Sequence, residues 1–343
     1  MHNRLARLDG LKRNHPAAMT AQSKQRPVPS RVRDGYPRAS LIERTIRYCV
    51  LLCACQLLAA VSLADGASPP CQSTVTGDLR LHTLSSQIFG NTRTIRVLVP
   101  PGYDAPENAA RKYPVLYLLD GQNLFDACLS LISHHEWEVD ETVDRLIREH
   151  KIPPLIVVGI DHAGKDRAIE YLPYKDYLEN PTMPDPIGKK FPDFLTDEVM
   201  PLIDGQYRTL RGHDNTGIGG SSYGGVAALY ALLAKPRVFG FGLIESASLS
   251  VGMGQLVRDT APLVARPKRV FIGFGGKEDD EPLINDLMIS LVRQVQANFA
   301  AAGYDETRLR VVIDPEAHHT EAAWAKRLPD ALTFLYGSPA ARQ

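Results

Sequence analysis

The chain has 343 residues, 44% of them hydrophobic, with 39 Lys/Arg balanced by 39 Asp/Glu, an ordinary composition for a globular protein and one that supports a sizeable core. The charges are spread unevenly: residues 1–64 carry 11 Lys/Arg against 3 Asp/Glu, which leaves 28 against 36 for the remainder. An acidic body argues against nucleic acid and anionic membrane as main partners.

The basic stretch ends at Arg44 and Arg47 and runs into an apolar segment, residues 48–64, closed by Ser62-Leu63-Ala64. Small residues at the two positions a signal peptidase reads predict a leader over 1–64, cleaved after Ala64, and export to the periplasm or the medium. An uncleaved anchor is the other reading and the one route to a membrane, although the segment is short against the roughly 20 residues of a span. Cys49, Cys53 and Cys55 lie inside the leader. Cys71 and Cys128 lie beyond it, and in an oxidising compartment they either pair or stay free thiols. No Cys/His cluster has the spacing of a metal site.

One domain is predicted from residue 72 to 343. Alternating segments at 79–87 and 93–99 flank Gly90-Asn91 and predict an antiparallel hairpin at a sheet edge. Short continuous apolar runs follow at 114–119, 155–160, 216–219, 241–244, 269–274 and 309–313. Runs without alternation suit strands buried on both faces, and helical segments between them predict a mostly parallel central sheet with helices on both faces. Residues 174–191, rich in Pro and polar groups, predict a long loop or cap beside the site, and 127–139 a second variable segment. Trp137 in it is either an aromatic wall or a core residue. Ile284, Leu287, Met288, Leu291, Val295 and Phe299 recur at helical spacing and are expected to face the core.

The strand at 216–219 runs into Gly220-x-Ser222-x-Gly224 and then an apolar, helix-favouring stretch. A nucleophilic serine on a sharp strand-to-helix turn needs small neighbours, and the helix amino end favours developing negative charge. Such a serine needs a base and an acid. The base is expected after the last strand, where His318 and His319 stand side by side; the acid is expected among Glu278, Asp279 and Asp280, just past the glycines that end the strand at 269–274. The turn after the strand at 114–119, Asp120-Gly121-Gln122, offers the Gln122 N–H as a donor to an oxyanion, beside that of Tyr223. Taken alone, Asp120-Gly121 is an ordinary β-turn.

These segments resemble the esterase family that includes esterase D and the enterochelin-type esterases, within the α/β-hydrolases. The similar elements are YPVLYLLDGQ at 113–122, VVGID at 157–161, Arg167 with Glu170 and Tyr171, EVMPLID at 198–204, GGSSYGG at 219–225, GKE at 276–278 and HTEAAW at 319–324. The resemblance implies an α/β-hydrolase fold with an antiparallel amino-terminal edge. It also implies a triad of Ser222, His319 and Glu278, oxyanion donors Gln122 and Tyr223, and a small-molecule carboxylic ester as substrate: a siderophore, an acylated sugar or another small ester. Tyr223 stands where methionine is frequent, and the doubled histidine keeps His318 in view as the base. Asp120, Trp137, Arg167, Glu170 and Tyr171 are expected around the substrate, the last three with a salt-bridged loop as the other reading. No metal and no organic cofactor is implied, and the sequence sets no oligomeric state. An acyltransferase on the same triad and a catalytically silent binding protein on the same scaffold are the alternatives.

Overall fold

The computed structural model describes residues 71–130, 135–262 and 267–338; the expected leader over 1–64, with its cleavage point, lies outside them. Eight strands form one sheet: β1 (Asp78–Ser85), β2 (Thr92–Val99), β3 (Val115–Leu119), β4 (Ile156–Ile160), β5 (Thr216–Ser221), β6 (Phe241–Glu245), β7 (Arg269–Gly275) and β8 (Leu309–Asp314), in the order β1-β2-β4-β3-β5-β6-β7-β8. β1 and β2 pair antiparallel, as do β2 and β4, and every pair from β4 to β8 is parallel.

Alternate residues of β3 explain why its sequence does not alternate. Val115, Tyr117 and Leu119 face one core and Leu116 and Leu118 the other, and all five are buried. The first core receives α2 (Arg167–Tyr171), α3 (Phe191–Phe194), α4 (Met200–Gln206), α5 (Tyr223–Ala234), α6 (Val251–Asp259) and α7 (Pro282–Ala301). The second receives α1 (Val139–Arg148) and α8 (Glu321–Tyr336). Glycines in β5 permit the close packing: a Cβ on Gly217 would stand 2.1 Å from the Tyr336 hydroxyl of α8, and one on Gly219 2.7 Å from the Leu243 carbonyl oxygen.

The expected helical stripe is split between two environments. Val295 and Phe299, with Val292, are buried, whereas Ile284 and Leu287 at the amino end of α7 are 38% and 44% exposed. Periodicity gives the face of a helix but not the length over which a neighbour covers it. Cys71 and Cys128 are joined by a disulfide, with Cα atoms 5.6 Å apart. No helix among the described residues is long and apolar enough to cross a membrane.

Candidate active site

Parallel strands place their carboxyl ends along one edge, and ligands bind outside that edge in open α/β sheets. Here β3 ends at Leu119, β5 at Ser221, β6 at Glu245, β7 at Gly275 and β8 at Asp314. The turns beyond them carry Gln122, Ser222, Ser246, Glu278 and His319 in chain order.

Ser222 adopts φ 55° and ψ −127°, a left-handed backbone that costs on the order of 1–3 kcal/mol in a residue with a Cβ. Its backbone is pinned on both sides: Ser222 N donates to Glu245 O at 3.1 Å, and Val226 N to Ser222 O at 3.1 Å. The turn is tight enough to require glycine at two positions. A Cβ on Gly220 would stand 2.8 Å from the Gly224 backbone, and one on Gly224 2.7 Å from Asp120 Oδ2. The hydroxyl of Ser222 makes no capping bond to α5, which leaves it available for chemistry. The second contact brings the turn after β3 against the start of α5, so the segments bearing the Gln122 and Tyr223 amides meet.

Of the acids past β7, Glu278 reaches the histidine: His319 Nδ1 lies 2.9 Å from Glu278 Oε2. Asp279 Oδ1 instead accepts from Glu281 N at 2.8 Å, closing its own loop. Between the two histidines the geometry also differs. His319 meets Glu278 and sets its ring edge-on to Trp324, with centroids 5.2 Å apart, while the exposed side chain of His318 makes no hydrogen bond among the described residues. Thr320 caps α8 through a bond from Ala323 N at 3.3 Å, so the helix begins just after His319 and holds it in a loop at the sheet edge. No hydrogen bond joins Ser222 Oγ to His319 among the described residues; bonds of this kind are often long before substrate binds.

Two partners of the acid were not anticipated from the sequence. Ser246, at φ 43°, donates its hydroxyl to Glu278 Oε1 and accepts from Trp324 Nε1 at 2.8 Å. Gly275 N donates to the same carboxylate oxygen at 2.6 Å. A chain of bonds thus runs from a buried indole through a hydroxyl to the carboxylate and on to the imidazole. A seryl residue just after a buried strand was the one available hint.

Of the five residues expected around the substrate, Asp120, Trp137, Glu170 and Tyr171 are buried, and the Arg167 side chain is 24% exposed. Asp120, 4% exposed, forms a bidentate ion pair with Arg167 at 2.7 and 2.8 Å, and its N–H donates to the Tyr171 hydroxyl at 3.2 Å. The Arg167 guanidinium lies against the rings of Tyr171 and Tyr223. Glu170 pairs with Arg93 at 2.6 Å and accepts from Asn91, fastening α2 to the hairpin. Tyr171 and Trp137 are 0% and 2% exposed, so neither offers a substrate any surface; Trp137 packs on Trp324 in the second core. The salt-bridged reading of Arg167 and Glu170 describes what is seen.

The long loop after α2 folds over the Ser222 turn. Asp176, fully buried, accepts from the Tyr223 hydroxyl at 2.6 Å, and burial together with this carboxylate raises the phenol above its ordinary range. A cavity of about 60 Å³ opens beside His319 and Glu278, with Phe274, Ile284 and Met288 on its apolar side and Glu179 and Ser248 on its polar side. The exposed start of α7 therefore belongs to the site wall.

The chain matches the model of the Esterase family, described as "Putative esterase", over residues 86–335. Among curated relatives it is 26% identical over 265 residues to the uncharacterized protein YbbA of Bacillus subtilis, covering 74% of this chain and 96% of that one. It is 28% identical over 221 residues to an endo-1,4-beta-xylanase/feruloyl esterase of Xylanibacter ruminicola, covering 60% of this chain and 26% of that one. Solved structures share the fold. They include a ferulic acid esterase (TM-score 0.56, 21% identity, 75% of this chain and 97% of that chain) and the BES protein of Bacillus cereus (TM-score 0.60, 19% identity, 78% and 98%). The enterobactin esterase FES of Shigella flexneri is a third, at TM-score 0.56 and 21% identity over 77% of this chain and 60% of that one. With the sheet order, the serine turn and the matched span together, the chain has the α/β-hydrolase fold and belongs to the esterase family.

Proposed function

We propose that the chain is a serine carboxylic-ester hydrolase working through an acyl-enzyme on Ser222. The observation that carries this reading is the bonded pair Glu278–His319 on the same sheet edge as a strained serine whose hydroxyl no cap consumes. His319 takes the Ser222 proton through the ring nitrogen turned away from Glu278, and the oxygen attacks the ester carbonyl. Glu278 holds the tautomer and stabilises the imidazolium. The Gln122 and Tyr223 amides receive the oxyanion. The imidazolium protonates the departing alcohol; water, giving a proton to His319, then attacks the acyl carbonyl, and the imidazolium returns that proton to Ser222 Oγ as the carboxylic acid leaves.

The substrate we propose is a small ester with an aromatic or apolar acyl group, supported by Phe274, Ile284 and Met288 beside the triad and by relatives named for ferulic acid and enterobactin esters. Export past the leader is proposed as well, supported by the Cys71–Cys128 disulfide, since such bonds persist in oxidising compartments.

Intact-mass analysis after a fluorophosphonate probe, with p-nitrophenyl acetate turnover in parallel, tests the mechanism. One adduct is expected on the wild type and none on Ser222→Ala or His319→Ala, whose turnover falls by about 10⁴-fold or more. A wild type that neither labels nor turns over would sink the proposal; labelling that survives in His319→Ala would move the base to His318.

A further inference from the structure

Away from the triad, residues 135–138 and the first turn of α1 bring together Glu136, Asp140 and Glu141, whose carboxylates offer oxygens within 4.8 Å of one another. Glu136 is 6% and Asp140 1% exposed. One oxygen of each of two acids is occupied. Glu136 Oε1 accepts from the Thr74 hydroxyl and from Ala127 N, and Asp140 Oδ2 accepts from Thr76 N at 2.6 Å and from the Thr76 hydroxyl at 3.2 Å. The remaining oxygens, Glu136 Oε2, Asp140 Oδ1 and Glu141 Oε2, are buried without a hydrogen-bond partner. Among the described residues, no Lys, Arg or His forms an ion pair with any of the three. Buried carboxylates are ordinarily paired or bound to a metal, because an uncompensated one is costly.

We propose that Glu136, Asp140 and Glu141 bind a divalent cation, and that it is Ca²⁺. The donor set is all oxygen, which suits a hard ion and not the nitrogen- and sulfur-seeking zinc or copper. Three carboxylates exceed the one or two that usually hold Mg²⁺, and calcium's longer bonds, about 2.3–2.6 Å, tolerate irregular geometry. Of the three acids Asp140 also lines, with Thr76 and Asp144, a cavity of about 440 Å³, the side from which the ion and its waters would enter. The bound ion ties two segments together. Thr74 and Thr76 fasten residues 73–77 to the same carboxylates, while Trp137 N and Val139 N donate to Asn123 O and Leu124 O at 3.0 and 3.1 Å, beside the Gln122 turn.

Calorimetric titration of the full chain, freed of metal with EDTA, decides the point, with CaCl₂ and MgCl₂ compared and the thermal midpoint followed in parallel. One Ca²⁺ per chain is expected, with a rise of about 5 °C in midpoint at hundredfold excess over the dissociation constant. Mg²⁺ should act more weakly, and both signals should vanish in Asp140→Asn and Glu141→Gln. No heat and no midpoint shift for the wild type at millimolar calcium overturns the site and leaves the three acids sharing protons. An equal response to Mg²⁺ overturns the choice of ion. The wild-type titration stands by itself if either variant fails to fold.

Discussion

Ser246 has one proton to give and gives it to Glu278, the carboxylate bonded to the proposed base His319, while the Trp324 indole donates to the same hydroxyl. A hydrogen bond to a charged group contributes about 1.5–3 kcal/mol, so Ser246→Ala should lower kcat by about tenfold or more. Because Ser246 acts through Glu278, KM for p-nitrophenyl esters should stay within about twofold. A variant with unchanged kcat but a lower thermal midpoint would make the serine structural only. The residues proposed to do the chemistry carry the most local signal in the sequence, since a strained turn needs its glycines and a triad has a chain order. Ser246 and Trp324 were not, because a serine and a tryptophan carry no periodicity that separates a relay from packing. Arg167 and Glu170 were legible as a cluster but not as to side. A buried ion pair and a partly exposed one use the same residue types, and only the structure separates Arg93–Glu170, which is buried, from Arg167–Asp120, whose arginine is 24% exposed.

At the scale of elements, the strands were legible because a sheet covered on both faces writes itself as short apolar runs, each found within about two residues of its place. The amino end of α7 was misjudged because its apolar residues answer to the site cavity and to solvent. The amino-terminal segment before β1 has no pattern at all. It is held by bonds to acids far along the chain, Ser73 to Asp126 at 2.8 Å and Thr76 to Asp140, and by the disulfide spanning 57 positions. Closing so long a loop stabilises mainly by restricting the unfolded chain, by about 2–4 kcal/mol. Scanning calorimetry of Cys71→Ser/Cys128→Ser should therefore show a midpoint lower by about 5–10 °C, matched by the reduced wild type. Equal midpoints for oxidised, reduced and variant proteins would mean that the side-chain bonds alone fix the segment.

Over the whole molecule, the response to pH turns on acids that the fold hides. Glu245, 1% exposed, accepts from Arg327 Nε and Nη2 at 2.9 and 2.7 Å through one oxygen, while its other oxygen has no partner and lies against Gly273, whose added Cβ would stand 2.5 Å from it. Burial pushes this carboxyl up to about 7; Arg327 pulls against the rise, and the neighbouring Glu278 adds to it. Glu321 is raised for the same leading reason, burial. A carboxyl whose folded pKa exceeds its unfolded value binds more protons when folded. Its contribution is then complete below about pH 4.5 and lost as pH rises through about 7. Asp78 and Asp314 run the other way, lowered first by hydrogen bonds from Arg80 and Lys326, and their contributions fade in acid. Stability should therefore peak near pH 5, about where both sets retain most of their effect. Urea unfolding at pH 5 and pH 7.5 should show the wild type more stable at the lower value by on the order of 2 kcal/mol. Glu245→Gln, which cannot ionise, should lose part of that difference, the remainder belonging to Glu321 and to Asp140, whose carboxyl burial pushes up to about 8. A wild type more stable at pH 7.5 would mean that Arg327 keeps Glu245 charged throughout, making the pair a permanent buried ion pair beneath the Ser222 turn.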